Sequence, residues 1–327
     1  MTPTSRFLKF AAASVLCLST VSAAVAQDKS KWPQSLTLAT ASVGGTYFVY
    51  GGVVATLLTE KLGLQVSTQQ SQGPVSNLML VNGKKAELGM TTMGPALQAW
   101  NGTDWAKSNG QMRNMRAAFP MYDTPFHFVA LKSSGIKSVA EIAGKNVGVG
   151  PKAGTCGTYF PEMFNALGLK VNVRNGGASD MGGMLGDGLI DVFAFCAGVP
   201  ISAFSEIDAS KPATFFTYTD AQIATLKKAM PELSDSVIPK GTYKSLTEDH
   251  KTVGLFNFFI VHKDLPDDLV YEITKAVMEN NPRMVQGHKA AVETIPANAK
   301  ANTFLTFHPG AVRYFKEKGI ALNPAAL

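Results

Sequence analysis

One tetrapeptide, Gly-Thr-Tyr-Phe, occurs twice and carries the residues best suited to bind a ligand. Residues 45–48 and 157–160 each follow a predicted strand and open a predicted helix. In open α/β sheets, ligands bind just outside the carboxyl ends of the strands, where helix starts offer unpaired N–H groups and partial positive charge. Two such helix starts that face one cleft would hold a small anion from both sides, through backbone N–H groups near Thr46 and Thr158.

The same tetrapeptide could instead do no more than cap two helices, with its aromatic residues in the core. A third Gly-Thr-Tyr, residues 241–243, follows Pro-Lys and not a strand, so the tripeptide alone indicates nothing. The first two copies occupy equivalent places in two similar units, and we therefore predict a binding role for them.

Further loops that follow predicted strands could line the same cleft. They are residues 71–77, 91–94 and 198–200, and each taken singly would be ordinary turn chemistry. Their shared placement after strands favours a common site. The predicted ligand-binding residues are Gly45, Thr46, Tyr47, Gly73, Asn77, Thr92, Thr155, Cys156, Gly157, Thr158, Gly198, Val199 and Pro200.

Strands alternate with helices in two successive units, which predicts parallel sheets built from right-handed crossovers. The first unit has predicted strands at 35–40, 64–70 and 87–91, and helices at 46–62, 74–81 and 95–100. The second begins near residue 138, with strands at 146–150, 170–175 and 191–196, and helices at 158–167, 181–185 and 219–230. The sequence therefore predicts an α/β protein with two doubly wound lobes.

Two long apolar strands, 126–131 and 254–262, lie outside this repeat. We expect them to be hinge strands that carry the chain from one lobe to the other and back. Lobe I would comprise residues 27–125 plus 256–327, and lobe II residues 126–255. No Pro- or Ser-rich linker separates the lobes, which suits a hinge of paired strands.

The first 26 residues have the pattern of a cleaved signal peptide. Arg6 and Lys9 precede an apolar stretch, and Ala24-Val25-Ala26 forms a cleavage motif. The alternative is a membrane anchor, but the apolar run is short for a hydrocarbon layer of about 30 Å. We predict an exported, periplasmic chain that begins near Gln27, with 28 Lys and Arg against 24 Asp and Glu.

Export changes the meaning of the two cysteines that remain, Cys156 and Cys196. Disulfides persist in oxidising compartments, so one bridge between them is possible, and two free buried thiols are the alternative. Both cysteines follow predicted strands that should be neighbours, which places a bridge beside the cleft.

Composition and missing motifs exclude several classes of function. With 46% apolar and 17% charged residues, the chain is neither disordered nor a coiled coil. Its basic residues are scattered, which excludes a nucleic-acid-binding face. The sequence contains no nucleophile elbow, zinc motif or phosphate loop, and its five histidines are dispersed. We therefore expect no enzyme, no cofactor and no metal site.

The sequence resembles the TAXI family of solute-binding proteins, which serve TRAP transporters. Segments that occur in order along nearly the whole predicted mature chain carry the resemblance, namely residues 44–47, 72–78, 149–158, 197–200, 238–243 and 264–271. The resemblance implies a type II periplasmic binding fold without catalysis, and we expect a monomer. It also implies a glutamate-, glutamine- or 2-oxoglutarate-like ligand and a TRAP permease partner with fused small and large components.

The same fold would also serve other proteins, and these alternatives stay open from the sequence. One is the receptor of an ATP-driven importer, or of a sensor kinase. A more distant one is a periplasmic enzyme.

Overall fold

The computed structural model describes residues 29–327, and the elements below all belong to the unit Trp32–Leu327. The predicted signal peptide, residues 1–26, lies outside the described residues. Within the described part of the chain, no helix is both long and apolar enough to cross a lipid bilayer.

In the described part of the chain, one mixed sheet of ten strands forms the centre of the fold, in the order β2-β1-β3-β10-β4-β7-β5-β6, with β8 paired to β4 and β9 to β10. The strands are β1 (Ser35–Ala39), β2 (Gln65–Gln69), β3 (Leu88–Thr92), β4 (Met115–Leu131), β5 (Asn146–Gly148), β6 (Asn172–Arg174), β7 (Val192–Cys196), β8 (Ala213–Phe216), β9 (Ser234–Ile238) and β10 (His250–His262). β1 pairs in parallel with β2 and β3, and β5 with β6 and β7, as the two strand–helix units predict.

The two longest strands, β4 and β10, pair with each other and connect the two parallel groups. β10 also pairs with β3, and the second half of β4 pairs with β7 and β8. The sequence predicts only 126–131 of β4, because Pro120 and Pro125 interrupt the earlier apolar run. Proline gives no N–H to a ladder. In the structure Pro120 pairs with Phe258, next to a register shift in the ladder, and Pro125 pairs with Gly254.

The helices pack on the sheet and largely follow the predicted positions. They are α1 (Thr46–Leu62), α2 (Pro74–Asn82), α3 (Met93–Asn101), α4 (Thr155–Ala166), α5 (Ala178–Gly186), α6 (Ser202–Ser210), α7 (Asp220–Ala229), α8 (Asp267–Met278), α9 (Asn281–Gly287) and α10 (Pro309–Glu317). α1 ends at Gly63, whose φ of 66° is the left-handed conformation that glycine adopts readily. The sequence predictions did not include α6, α9, β8 and β9.

Two hydrophobic clusters lie on the sheet, which we call core I and core II. Core I draws its buried residues from 32–122 and 258–326, and core II from 126–255. Aromatic stacking is prominent in both: Phe119 and Phe259 stack at 4.5 Å in core I, and Phe128 and Phe216 at 5.2 Å in core II. Full burial of one such side chain stabilises the fold by roughly 1.5–3 kcal/mol.

His127 connects β4 to the rest of core II through a buried hydrogen-bond chain. Its ring nitrogens lie 3.2 Å from the Pro125 carbonyl oxygen and 3.0 Å from the Tyr243 hydroxyl, which also accepts from the Ile201 N–H. Burial lowers the pKa of His127 from 6.5 to about 3. The folded protein therefore keeps this ring neutral at pH values where the unfolded chain protonates it.

This pKa difference predicts acid sensitivity. Between pH 6.5 and 3 the unfolded state binds a proton that the folded state refuses, so the free energy of unfolding falls as pH falls. His127 should contribute a slope of ~1.4 kcal/mol per pH unit in the middle of this window, where the unfolded ring is protonated and the folded ring is not. Denaturant titrations from pH 7 to pH 4 should show that the free energy of unfolding falls more steeply with pH in the natural protein than in His127→Gln. Equal slopes in the two proteins would contradict the lowered pKa of His127.

Candidate functional site

A small cavity lies where core I and core II meet. Its volume is about 50 Å³, which is room for several water molecules. Its lining residues are Ala41, Ser42, Gly45, Thr46, Tyr47, Gln72, Gly73, Pro74, Thr92, Thr124, Pro151, Gly154, Thr155, Cys156, Phe195, Cys196, Ala197 and Asn257. Both cores and both long strands thus contribute to one site.

Four helices begin at this cavity, and all four begin without a side-chain cap. The starts of α1, α2, α3 and α4 have neither a capping side-chain hydrogen bond nor an acidic residue in the first turn. Elsewhere, Thr219 caps α7, and Asp267 and Asp268 occupy the first turn of α8, whereas α6 and α9 begin with neither feature. First-turn N–H groups have no acceptor within their helix. Uncapped starts that converge on a cavity favour an anion.

The starts of α1 and α4 are matched in geometry. Gly45 precedes α1 at φ −92° and ψ 158°, and Gly154 precedes α4 at φ −101° and ψ 163°. Thr46 and Thr155 are therefore equivalent first helical residues, and both are buried at the cavity. The structural repeat is a Gly-Thr pair on each side of the cavity.

Hydroxyl groups add further donors. The Thr92 and Thr155 hydroxyl oxygens lie 2.6 Å apart across the cavity, and one proton serves that contact. The other hydroxyl keeps its proton for a ligand. Thr124 accepts a 2.6 Å hydrogen bond from the Asn257 amide, so its own proton is also available.

Tyr47 and Asn257 form the floor of the cavity. The Tyr47 hydroxyl donates to Asn257 Oδ1 at 2.6 Å, and the Asn257 amide also donates to the Tyr122 carbonyl oxygen. Burial raises the pKa of Tyr47 well above its usual value, so this phenol stays neutral. The sequence analysis missed Asn257 and Thr124 because a long apolar strand gives no signal for which polar residue faces a ligand.

The two sides of the cavity cap each other's helices. Residues 42–44, on the core I side, accept from the starts of α5 and α6. Ser42 Oγ accepts from the Ala178 N–H at 3.2 Å, the Val43 oxygen from Ser179 at 3.2 Å, and the Gly44 oxygen from Ala203 at 3.1 Å.

In the opposite direction, the Ala153 carbonyl oxygen, on the core II side, accepts from the Val75 N–H in the first turn of α2 at 3.1 Å. The Thr46 hydroxyl donates to the Gly198 carbonyl oxygen. Backbone groups on each side therefore hold the two sides together around the cavity.

A family comparison identifies the class of protein that this geometry serves. The model of the NMT1-like family matches residues 38–319, which is most of the chain. The chain belongs to the NMT1-like family. This is a family of periplasmic solute-binding proteins and not of enzymes.

Solved structures show the same architecture for this NMT1-like protein. A structure described as a periplasmic transporter is 16% identical, covers 88% of this chain and 93% of its own, and gives a TM-score of 0.54. The protein PhnD1 from Prochlorococcus marinus, solved with methylphosphonate, is 13% identical over 80% of this chain and 92% of its own, with a TM-score of 0.52. The fold is that of type II periplasmic binding proteins.

The structure brings about half of the predicted site residues together in this NMT1-like protein. Those that line the cavity are Gly45, Thr46, Tyr47, Gly73, Thr92, Thr155 and Cys156. Those that do not line it are Asn77, Gly157, Thr158, Gly198, Val199 and Pro200. Asn77 is buried below the cavity, where its amide donates to the Thr40 and Met90 carbonyl oxygens at 2.8 Å.

The position of Thr158 differs from the prediction for a clear reason. α4 begins at Thr155, three residues earlier than predicted, so the Thr158 N–H already donates to the Gly154 carbonyl oxygen at 3.1 Å. The second Gly-Thr-Tyr-Phe lies one turn inside its helix, and the first-turn donors are those of Thr155, Cys156 and Gly157. Val199 and Pro200 line a separate surface groove beside Asp123.

A disulfide joins Cys156 to Cys196 at the edge of the cavity, with 5.6 Å between the Cα atoms. Cys156 is in the first turn of α4 and Cys196 ends β7, and both are buried. The bridge therefore fixes the start of α4 to the neighbouring strand end.

Removal of this bridge should destabilise the protein without unfolding it. It spans 40 residues, and the double variant Cys156→Ala, Cys196→Ala should lose about 2–4 kcal/mol of unfolding free energy. Denaturation curves should detect this. Dithiothreitol should lower the unfolding free energy of the natural protein to about that of the double variant, and it should leave the double variant's own value unchanged. A natural protein unaffected by complete reduction would contradict the role of the bridge.

The two sides approach each other closely at Gly44. Its φ is 84°, and a Cβ there would lie 2.5 Å from Ser179 Oγ and 2.8 Å from the Ser179 nitrogen. Gly44→Ala should therefore force the sides apart and raise the radius of gyration in X-ray scattering. Gly63→Ala is the matched control, because Gly63 has φ 66° and open space around it. Both variants should lose about 1–2 kcal/mol to backbone strain. Equal radii of gyration in Gly44→Ala and Gly63→Ala would contradict the close contact between Gly44 and Ser179.

Proposed function

We propose that this NMT1-like protein is a periplasmic receptor that holds a small organic anion in the cavity between the cores and delivers it to a membrane transporter. The observation that carries the proposal is the convergence of uncapped helix starts, from both sides, on one cavity. One helix start interacts with an anion by roughly 0.3–1 kcal/mol, and by up to about 2 kcal/mol when it is partly buried. Useful affinity therefore needs several helix starts together with hydroxyl donors. The cavity has both.

Binding would work by closure of two lobes. Core I would be the centre of lobe I, residues 27–125 plus 256–327, and core II the centre of lobe II, residues 126–255. A ligand that contacts Thr46 on one side and Thr155 on the other stabilises only the closed arrangement. It therefore shifts the population toward the closed form. The transporter would recognise that form.

For the transporter, we propose a TRAP permease of the TAXI type, on the strength of the motif resemblance along the chain. An ATP-driven importer would use a receptor of the same fold. Uptake of the ligand by cells that produce the receptor distinguishes them. An uncoupler that collapses ion gradients should stop TRAP uptake, whereas uptake that survives the uncoupler and stops on ATP depletion would reject the TRAP assignment.

The binding proposal is tested by a thermal-shift screen of small carboxylic acids on the mature chain. A ligand present at about 100 times its dissociation constant should stabilise the protein by about 2.7 kcal/mol and raise its melting temperature. No rise with any small acid, in the presence of a properly folded protein, would reject the proposal.

Substitution of Thr46 tests whether the helix start contacts the anion. Thr46→Pro removes one N–H, and the extended Gly45 backbone tolerates a following proline. Thr46→Val removes only the hydroxyl that bonds to Gly198. Thr46→Pro should bind the anion at least about tenfold more weakly than Thr46→Val, because only the proline variant loses a charge-assisted hydrogen bond from the backbone. Asp220→Pro, at the start of α7 on the surface, is the matched control and should bind normally. Equal affinity in the proline and valine variants would exclude the Thr46 N–H as a contact of the anion.

A further inference from the structure

We infer that the Gln72 side chain is a gate between the cavity and the surface, through which small molecules pass while the two sides stay in contact. The inference rests on the proposed function only in treating the cavity as a binding site, and it concerns access to that site. It follows from the residues that the cavity shares with a surface groove, from the contacts that hold those residues, and from the freedom that Gln72 keeps.

A groove on the surface, which we call the outer groove, adjoins the cavity. Residues 70–72 line it on the core I side, and residues 175–177 on the core II side. Three residues line both the outer groove and the cavity, namely Ser42, Gln72 and Pro151. In the described part of the chain, the groove beside Asp123 shares no lining residue with the cavity. The outer groove is therefore where the cavity meets the surface, and these three residues are the boundary.

Two of the three boundary residues are fixed in place. Ser42 is buried, and its hydroxyl oxygen accepts from the Ala178 N–H at 3.2 Å. The side chain of Pro151 is closed into a ring with the backbone, and its carbonyl oxygen accepts from the Gly154 N–H at 3.0 Å. An opening at either residue would require the backbone to move.

The loop that carries Gln72 is fixed from its own side. The Ser71 hydroxyl donates to Asn77 Oδ1 at 2.7 Å and accepts from the Gly73 N–H at 2.9 Å. These two bonds hold the backbone on both sides of Gln72. Asn77, which does not line the cavity, is therefore a positioning residue for this loop.

Backbone contacts also join this loop to the core II side. The Val75 N–H donates to the Ala153 carbonyl oxygen at 3.1 Å. Gly73 has φ 118°, and a Cβ there would lie 3.2 Å from the Cα atom of Gly154. The two sides are thus in direct backbone contact next to Gln72, and this contact does not involve its side chain.

The Gln72 side chain is the part of the boundary that can move alone. It is exposed, and its contact across the boundary is long, because Oε1 accepts from the Ala153 N–H at 3.4 Å. A typical N–H···O hydrogen bond measures roughly 2.9–3.0 Å. Exposed side chains change rotamer within picoseconds to nanoseconds. Rotation of this side chain therefore widens the boundary while the surrounding backbone stays in place.

The disulfide provides a measure of access to the cavity that needs no ligand. Cys156 and Cys196 both line the cavity and are buried, so a reductant in the folded protein reaches their sulfur atoms from the cavity. A thiolate of dithiothreitol attacks one sulfur and forms a mixed disulfide. Its second thiol then releases the protein as two thiols and leaves dithiothreitol as a cyclic disulfide. The rate of this reaction depends on access.

The inference is tested by the rate at which dithiothreitol reduces this bridge, measured by timed alkylation and mass spectrometry. Gln72→Ala removes the gate and should be reduced at least about fivefold faster than the natural protein. Gln70→Ala is the matched control, because Gln70 is exposed and lines the outer groove but not the cavity. It should keep the natural rate. An unchanged rate in Gln72→Ala, or an equal increase in Gln70→Ala, would overturn the gate.

Two further measurements on Gln72→Ala separate a gate from a contact that holds the protein together. The radius of gyration in X-ray scattering and the midpoint of urea unfolding should both equal those of the natural protein. A larger radius, as expected for Gly44→Ala, would show that the side chain holds the two sides together, and the gate would be rejected. A lower urea midpoint that accounts for the faster reduction would reject it as well.

None of these measurements uses an acid ligand. A failed gate would leave the receptor proposal to its own thermal-shift test. Failure of every acid to bind would leave a faster reduction of Gln72→Ala as evidence of access to the cavity, and would reject the receptor alone.

Discussion

Backbone N–H groups at helix starts need acceptors, and the structure depends on where those acceptors come from. For α5 and α6 the acceptors lie on the opposite side of the cavity, in residues 42–44. For α2 the acceptor is Ala153, again from the other side. No side chain caps the starts of α1 and α4, which the proposed function assigns to an anion. Under that proposal one kind of group would serve both closure and recognition, which would link ligand affinity to the contact between the two sides.

The two long strands, β4 and β10, both contribute to the cavity, through Thr124 and Asn257. The register of β4 against β10 shifts between Phe256 and Phe258, on either side of Asn257, and Asn257 lines the cavity. Polar groups continue along this junction: Asp123 accepts from the Ser236 hydroxyl, and its N–H donates to Glu293 at 2.5 Å. Burial raises the pKa of both Asp123 and Glu293. In the proposed closure, the strands that bend also form the floor of the cavity.

Much of the fold could be predicted from the sequence, because its signals are local. Alternating strands, the Gly63 helix stop and the capping box at Thr219 all depend on neighbouring residues. The start of α4 could not be predicted, because Gly154 and Gly157 both precede threonine and only tertiary contacts select the first. Site residues on β4 and β10 were missed for a similar reason. Which side chain of an apolar strand faces a ligand depends on pairing register, and the register shifts here.

The bridge between Cys156 and Cys196 has a consequence for when the protein becomes competent. It ties the beginning of α4 to the sheet, and such bonds form in oxidising surroundings and not in the cytosol. A newly made chain still inside the cell would hold two thiols and a less rigid cavity. For a receptor exported as the sequence predicts, the cavity would become rigid only after the chain has left the cytosol.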